Sequence, residues 1–126
     1  MTVLADFVVV NNLPADAPAG HWKSVPFEAG GRLIRTDSHG AEQFNAYAAL
    51  ALDSPTGGTD VYVRVIVNGH PLPQLVAVLE ASQRTAVVAF PASYLHPDSS
   101  NVIELHSRDE AAFIVLHVIC HFRQES

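Results

Sequence analysis

Apolar residues recur along the chain in short runs separated by turn residues, with a spacing of about ten residues from run to run, and this rhythm predicts an all-β sandwich or barrel. Nine strands are expected: "VLADFVVV" (3–10), "HWKSVPF" (21–27), "RLIRT" (32–36), "QFNAYAALAL" (43–52), "VYVRVIV" (61–67), "QLVAVLEA" (74–81), "TAVVAF" (85–90), "NVIELH" (101–106) and "AFIVLHVICHF" (112–122). The connecting stretches "NNLPADAPAG", "EAGG", "DSHG", "DSPTGGTD", "NGHPLP" and "HPDSS" supply the Gly, Pro, Asn and Asp that let a backbone reverse. No repeat or linker divides the chain, so one domain over 1–126 is expected.

Alternation within the runs assigns faces. In "VYVRVIV", Val61, Val63, Val65 and Val67 form one β-branched stripe, while Tyr62, Arg64 and Ile66 point the other way. In "NVIELH", Ile103 and Leu105 oppose Val102, Glu104 and His106. The last run is apolar on both sides, with Ile114, Leu116, Val118, Cys120 and Phe122 opposite Phe113, Val115, His117, Ile119 and His121; it is read as a central strand or a subunit contact. Ser107 and Glu110 have the spacing of a helix capping box ahead of this run. Its Ile, Val and Phe content favours the strand.

That choice decides what "HVICH" can do. On a helix His117 and His121 would stand about 6 Å apart along one face, the arrangement of a chelating pair. On a strand they share a face at about 13 Å and cannot meet on one ion.

Composition narrows the picture. The chain is 126 residues, 48% hydrophobic and 16% charged, with a net charge of -6. A single lysine, Lys23, stands beside six scattered arginines, so no basic stripe exists and nucleic acid is not an expected partner. No apolar run approaches the roughly 20 residues of a membrane-spanning helix. Cys120, the only cysteine, excludes an internal disulfide and a cysteine-based zinc site. With no basic, cleavable leader in "MTVLADFVVV", the expectation is a soluble cytoplasmic protein.

Two segments, "VYVRVIVNGHPL" (61–72) and "FPASYLHPDSSNVIEL" (90–105), place a strand ending in Val-Asn-Gly before an apolar-Pro segment, a Pro-containing turn and Asn-Val-Ile-Glu-Leu. In this they resemble galactose-binding-like jelly-roll domains. The glycine usual in the turn before the Asn is replaced by Asp98, Ser99 and Ser100. The resemblance, which covers about a third of the chain, implies a jelly roll whose members often bind sugars, sometimes carry a structural calcium, and often do no chemistry. It carries over no ligand residue.

Candidate chemistry follows from one pairing. If "NVIELH" and the last run form a hairpin, matched apolar faces pair Ile103 with Leu116 and Leu105 with Ile114, and Glu104 and His106 join His117 on one side. With Tyr62 as a stacking aromatic and Arg64 as a bidentate donor, these five residues form a candidate ligand site for a carbohydrate or other small polar molecule. The plainer account is an exposed Arg64–Glu104 pair, worth under about 1 kcal/mol, beside half-buried histidines.

Trp22 reads as packing, His70 and His96 as solvated turn residues, and Cys120 as an inert core thiol. Asp37, Asp53 and Asp60 are candidates for calcium, although no loop alternates acidic ligands, and no other cofactor is expected. Non-catalytic binding leads these readings. A homo-oligomeric assembly module built on the last strand, and a small enzyme using a histidine and Glu104 in a pocket between sheets, are the alternatives.

Overall fold

The computed structural model describes residues 3–35, 46–55 and 59–125. Among these residues nine strands run in the order β1 (Val3–Asn11), β2 (Ala15–Ala17), β3 (His21–Lys23), β4 (Ala46–Asp53), β5 (Val61–Val67), β6 (His70–Val78), β7 (Gln83–Phe90), β8 (Ile103–Ser107) and β9 (Phe113–Glu125), with one 3-10 turn at Ala92–Tyr94. They form two antiparallel sheets. Sheet A has the order β1-β9-β4-β7, with β2 continuing the β1 edge along β9, and sheet B has the order β3-β8-β5-β6. The result is the expected β-sandwich. The helical alternative for the C-terminal run is not formed, and the expected strand at 32–36 is reduced to an isolated bridge between Leu33 and Gln124. Residues 36–45, which include Asp37 and the start of the expected strand at 43–52, lie outside the described residues.

The valine stripe of β5 is fully buried, at the centre of sheet B between β6 and β8. Against it from sheet A pack Leu50, Leu52, Val88, Phe90, Phe113, Val115 and Val118. Burying side chains of this size contributes about 1.5–3 kcal/mol each, which makes this shared interior the main term holding the sheets together.

Among the described residues only the β5–β6 hairpin connects neighbouring strands within sheet B. Its Asn68 (φ 48°) and Gly69 (φ 82°) both take positive φ, the backbone of a tight type I′ turn for which Asn-Gly is suited. From β2 onward, every other connection between consecutive strands passes from one sheet to the other. The expected β8–β9 hairpin is therefore incorrect: β8 pairs with β3 and β5, whereas β9 pairs with β1, β2 and β4.

The faces of β9 also differ from strict alternation. Phe113 and Val115 are buried, a bulge follows at Leu116, and burial then passes to Val118, Cys120 and Phe122. One extra residue reverses which side faces the core. β6 starts at His70, inside the stretch read as a turn, because Pro71 and Pro73 are tolerated on an edge strand.

The resemblance segments meet in a buried polar knot. Asn101, with no exposed surface, accepts the His96 amide (2.7 Å) and Asn68 Nδ2 (2.8 Å) on Oδ1 and donates from Nδ2 to the carbonyls of His96 and Ser99, both at 3.1 Å. Asn68 Oδ1 accepts the Val102 amide at 2.8 Å, and its Nδ2 also reaches the Tyr94 carbonyl at 2.7 Å. Where these domains usually place a glycine, Asp98 takes the left-handed backbone (φ 49°), which aspartate tolerates better than most residues.

Candidate functional site

The outer face of sheet B assembles by strand register. One row runs His21, His106, Arg64, Leu75 across β3, β8, β5 and β6; the next runs Lys23, Glu104, Ile66, Pro71. Tyr62 stands one row the other way on β5. Three rows spaced two residues apart span about 13 Å along the strands, and four strands span about 14 Å across. Because Val61, Val63, Val65 and Leu105 point inward, alternation commits Tyr62, Arg64, Glu104 and His106 to the outside.

The contacts differ from a plain Arg64–Glu104 pair. His106 Nε2 donates to Glu104 Oε2 at 2.9 Å, and both side chains are about one-third exposed (34% and 30%). The His21 ring meets His106 edge-on at 4.4 Å. Arg64 Nη1 instead donates to the Leu72 carbonyl at 2.7 Å, where β6 bulges away from β5 and breaks its ladder. The Arg108 guanidinium lies 4.3 Å from the Tyr62 ring centroid, within cation–π distance. One face of the expected stacking aromatic thus carries a cation.

Four of the five candidate residues, Tyr62, Arg64, Glu104 and His106, therefore share this face. His117 does not. It lies on sheet A, across from Ala51, as the β8–β9 pairing that placed it beside Glu104 does not form. The site also gains His21, Lys23 and Arg108. The alternation of "HWK" around Trp22, which is half-buried against the core, signals that His21 and Lys23 point outward, but nothing local tells that β3 lies beside β8.

The histidine–carboxylate pair sits on an open sheet face rather than in a pocket between sheets, whose interior is filled with apolar side chains. A depression of about 300 Å³ lies elsewhere, on sheet A, lined by Ala5, Tyr47, Ala89, His121 and Arg123 among others. Among the described residues no group of three or more His, Cys, Asp or Glu is arranged to hold a metal ion. Asp60 Oδ1 instead accepts the Glu80 amide at 2.8 Å. His70 is not a free turn residue, since its ring stacks on Tyr94 at 4.1 Å. Cys120 is buried under sheet A, and loss of hydration pushes its thiol from 9.0 up to about 12.

No protein-family model matches the chain, and no curated protein matches its sequence. Solved structures resemble its fold. One is the dimeric latent PorU of Porphyromonas gingivalis, with a TM-score of 0.67 at 6% identity; the similarity covers 99% of this chain and 13% of that one, so the chain spans only a small part of PorU's length. Another is a family 35 carbohydrate-binding module from Clostridium thermocellum, with a TM-score of 0.50 at 10% identity, covering 94% of this chain and 90% of the module. At these identities the likeness is one of fold, and at that level it bears out the galactose-binding-like resemblance.

Proposed function

We propose that the protein is a non-catalytic binding module that takes a carbohydrate or another small polar ligand on the outer face of sheet B. The observation that carries the reading is the convergence of Tyr62 with its Arg108 cap, His21, and the His106–Glu104 pair on one open, partly exposed surface. Aromatic edges, an apolar floor at Ile66 and Leu75, and donors and acceptors within one patch suit a molecule that presents hydroxyls around a weakly apolar ring. The fold shared with a carbohydrate-binding module adds support for this class of ligand.

The test is electrophoresis through native gels cast with xylan, hydroxyethylcellulose or polygalacturonate. Retardation in at least one gel, lost in His106→Ala and Glu104→Ala and kept in the sheet A control Val87→Thr, is the expected result. Unretarded migration in all three gels, or retardation indifferent to both substitutions, overturns the reading for these polysaccharides and this face.

A further inference from the structure

The free edge of sheet A is unlike the other edges of the sandwich. β3 is three residues long and carries Lys23, and β6 contains Pro71 and Pro73 and a bulge. β7 is tied to β6 across the gap between sheets by Arg84 Nη1, which donates to the Ala77 carbonyl at 3.2 Å. β1 has nine residues, pairs on one side only among the described residues, and contains neither proline nor lysine. Three of its side chains, Leu4 (45% exposed), Phe7 (57%) and Val9 (46%), are large apolar groups in solvent. At mid-strand the Phe7 amide donates to its neighbour's Asp6 Oδ1 at 2.8 Å, a local acceptor that another strand's carbonyl can replace. A long, apolar, unprotected edge is a template for a further strand.

We propose that this edge pairs with β1 of a second copy of the chain, antiparallel about a two-fold axis at Phe7, so that the two A sheets become one continuous sheet. The sequence of β1 is self-complementary about that axis. Phe7 meets Phe7 of the other copy as an aromatic pair on the axis, while Ala5 meets Val9, Leu4 meets Val10, and Asp6 meets Val8, so off the axis each of these residues faces a valine and no two carboxylates stand opposite. The aromatic row supplies a second reason. Tyr47 stacks on His121 at 4.3 Å, and Phe7 lies 5.8 Å beyond. These three are register partners across β4, β9 and β1, so the pairing extends one row of three rings into a row of six. Peptide partners would satisfy the edge but would not continue this row.

Sedimentation velocity over a range of concentrations tests the proposal. The expected species is a dimer of the 13.6 kDa chain, with Phe7→Lys weakening association on the order of tenfold or more, as loss of a central aromatic anchor does. Raising the salt concentration strengthens the dimer, because each copy carries a net charge of -6. A second variant fixes the geometry. Phe7→Cys places two thiols on the axis within disulfide reach whichever type of antiparallel pair forms, so mild oxidation links the copies, whereas Val87→Cys does not. A monomer at every concentration, a dimer indifferent to Phe7→Lys, or crosslinking through Val87→Cys instead overturns the proposal.

Discussion

The two outer faces of the sandwich share one interior and differ in almost everything else. Sheet B presents Lys23, Arg64 and Glu104, with Arg108 folded over Tyr62, and its contacts are hydrogen bonds and ring–cation approaches. The middle of sheet A presents Phe7, His121, Tyr47 and Ala89 in one row, Val9, Ile119, Ala49 and Val87 in the next, and His117, Ala51 and Thr85 in a third, with no carboxylate among them. In a chain with a net charge of -6, these three rows form an acid-free and largely apolar stretch, the kind of surface that marks a contact site. Alternation makes the contrast cheap to encode. Every second residue of a strand is committed to the common core, and the residues between are free to specify a polar face on one sheet and an apolar face on the other.

The strongest way to break the contrast is to attack what both faces rest on. Cys120 lies buried one residue from His121, beneath the aromatic row, with its thiol pushed from 9.0 up to about 12 by burial. Above pH 9 the unfolded chain gives up this proton while the folded chain retains it, so stability falls as pH rises and the full loss is reached only near pH 12. The separation corresponds to a loss of up to about 4 kcal/mol, most of it absent in Cys120→Ala. Urea unfolding at pH 8 and pH 10.5, wild type against that variant, measures the difference. A parallel pH dependence in the two proteins would contradict the account.

A smaller loss follows at the other sheet. Asn101→Ala strips acceptors from the His96 amide and Asn68 Nδ2 and a donor from the carbonyls of His96, Ser99 and Phe27 in a site without solvent, at a cost of about 3 kcal/mol. The urea midpoint reads it. Because the knot fixes the turn at Asn68 and the start of β8, the variant also disturbs sheet B's face before sheet A's.

The same asymmetry explains what could be read from the sequence. The β5 stripe, the Asn-Gly turn and the outward placement of Tyr62, Arg64, Glu104 and His106 follow from local rules, the two-residue period and turn chemistry, and these held. Joining His117 to them required knowing that β8 and β9 share a sheet, and they do not. Sheet membership is a property of long-range pairing that no ten-residue window contains. The bulge at Leu116 was hidden for a related reason: a run apolar on both faces offers no polar mark to show where its alternation slips. His21 and Arg108 reach the site from β3 and from the β8–β9 crossover, segments whose neighbours are set only when the sandwich closes.

Arg64 sharpens the contrast at the smallest scale, because it belongs to both the fold and the candidate ligand face. Its Nη1 fills the gap that the β6 bulge opens at the Leu72 carbonyl. Arg64→Ala leaves that carbonyl without its donor in a half-buried position, costing about 1–2 kcal/mol. Arg64→Lys keeps a charge but loses the planar fork, so it can satisfy the carbonyl or face the ligand and not reproduce both. If Arg64 serves only the bulge, Lys restores most of the urea midpoint, and polysaccharide retardation in the native gels follows stability alone. If its remaining guanidinium nitrogens also hold ligand, Lys restores the midpoint while retardation stays weak. Carrying out both measurements on both variants separates a residue that shapes the polar face from one that acts on it.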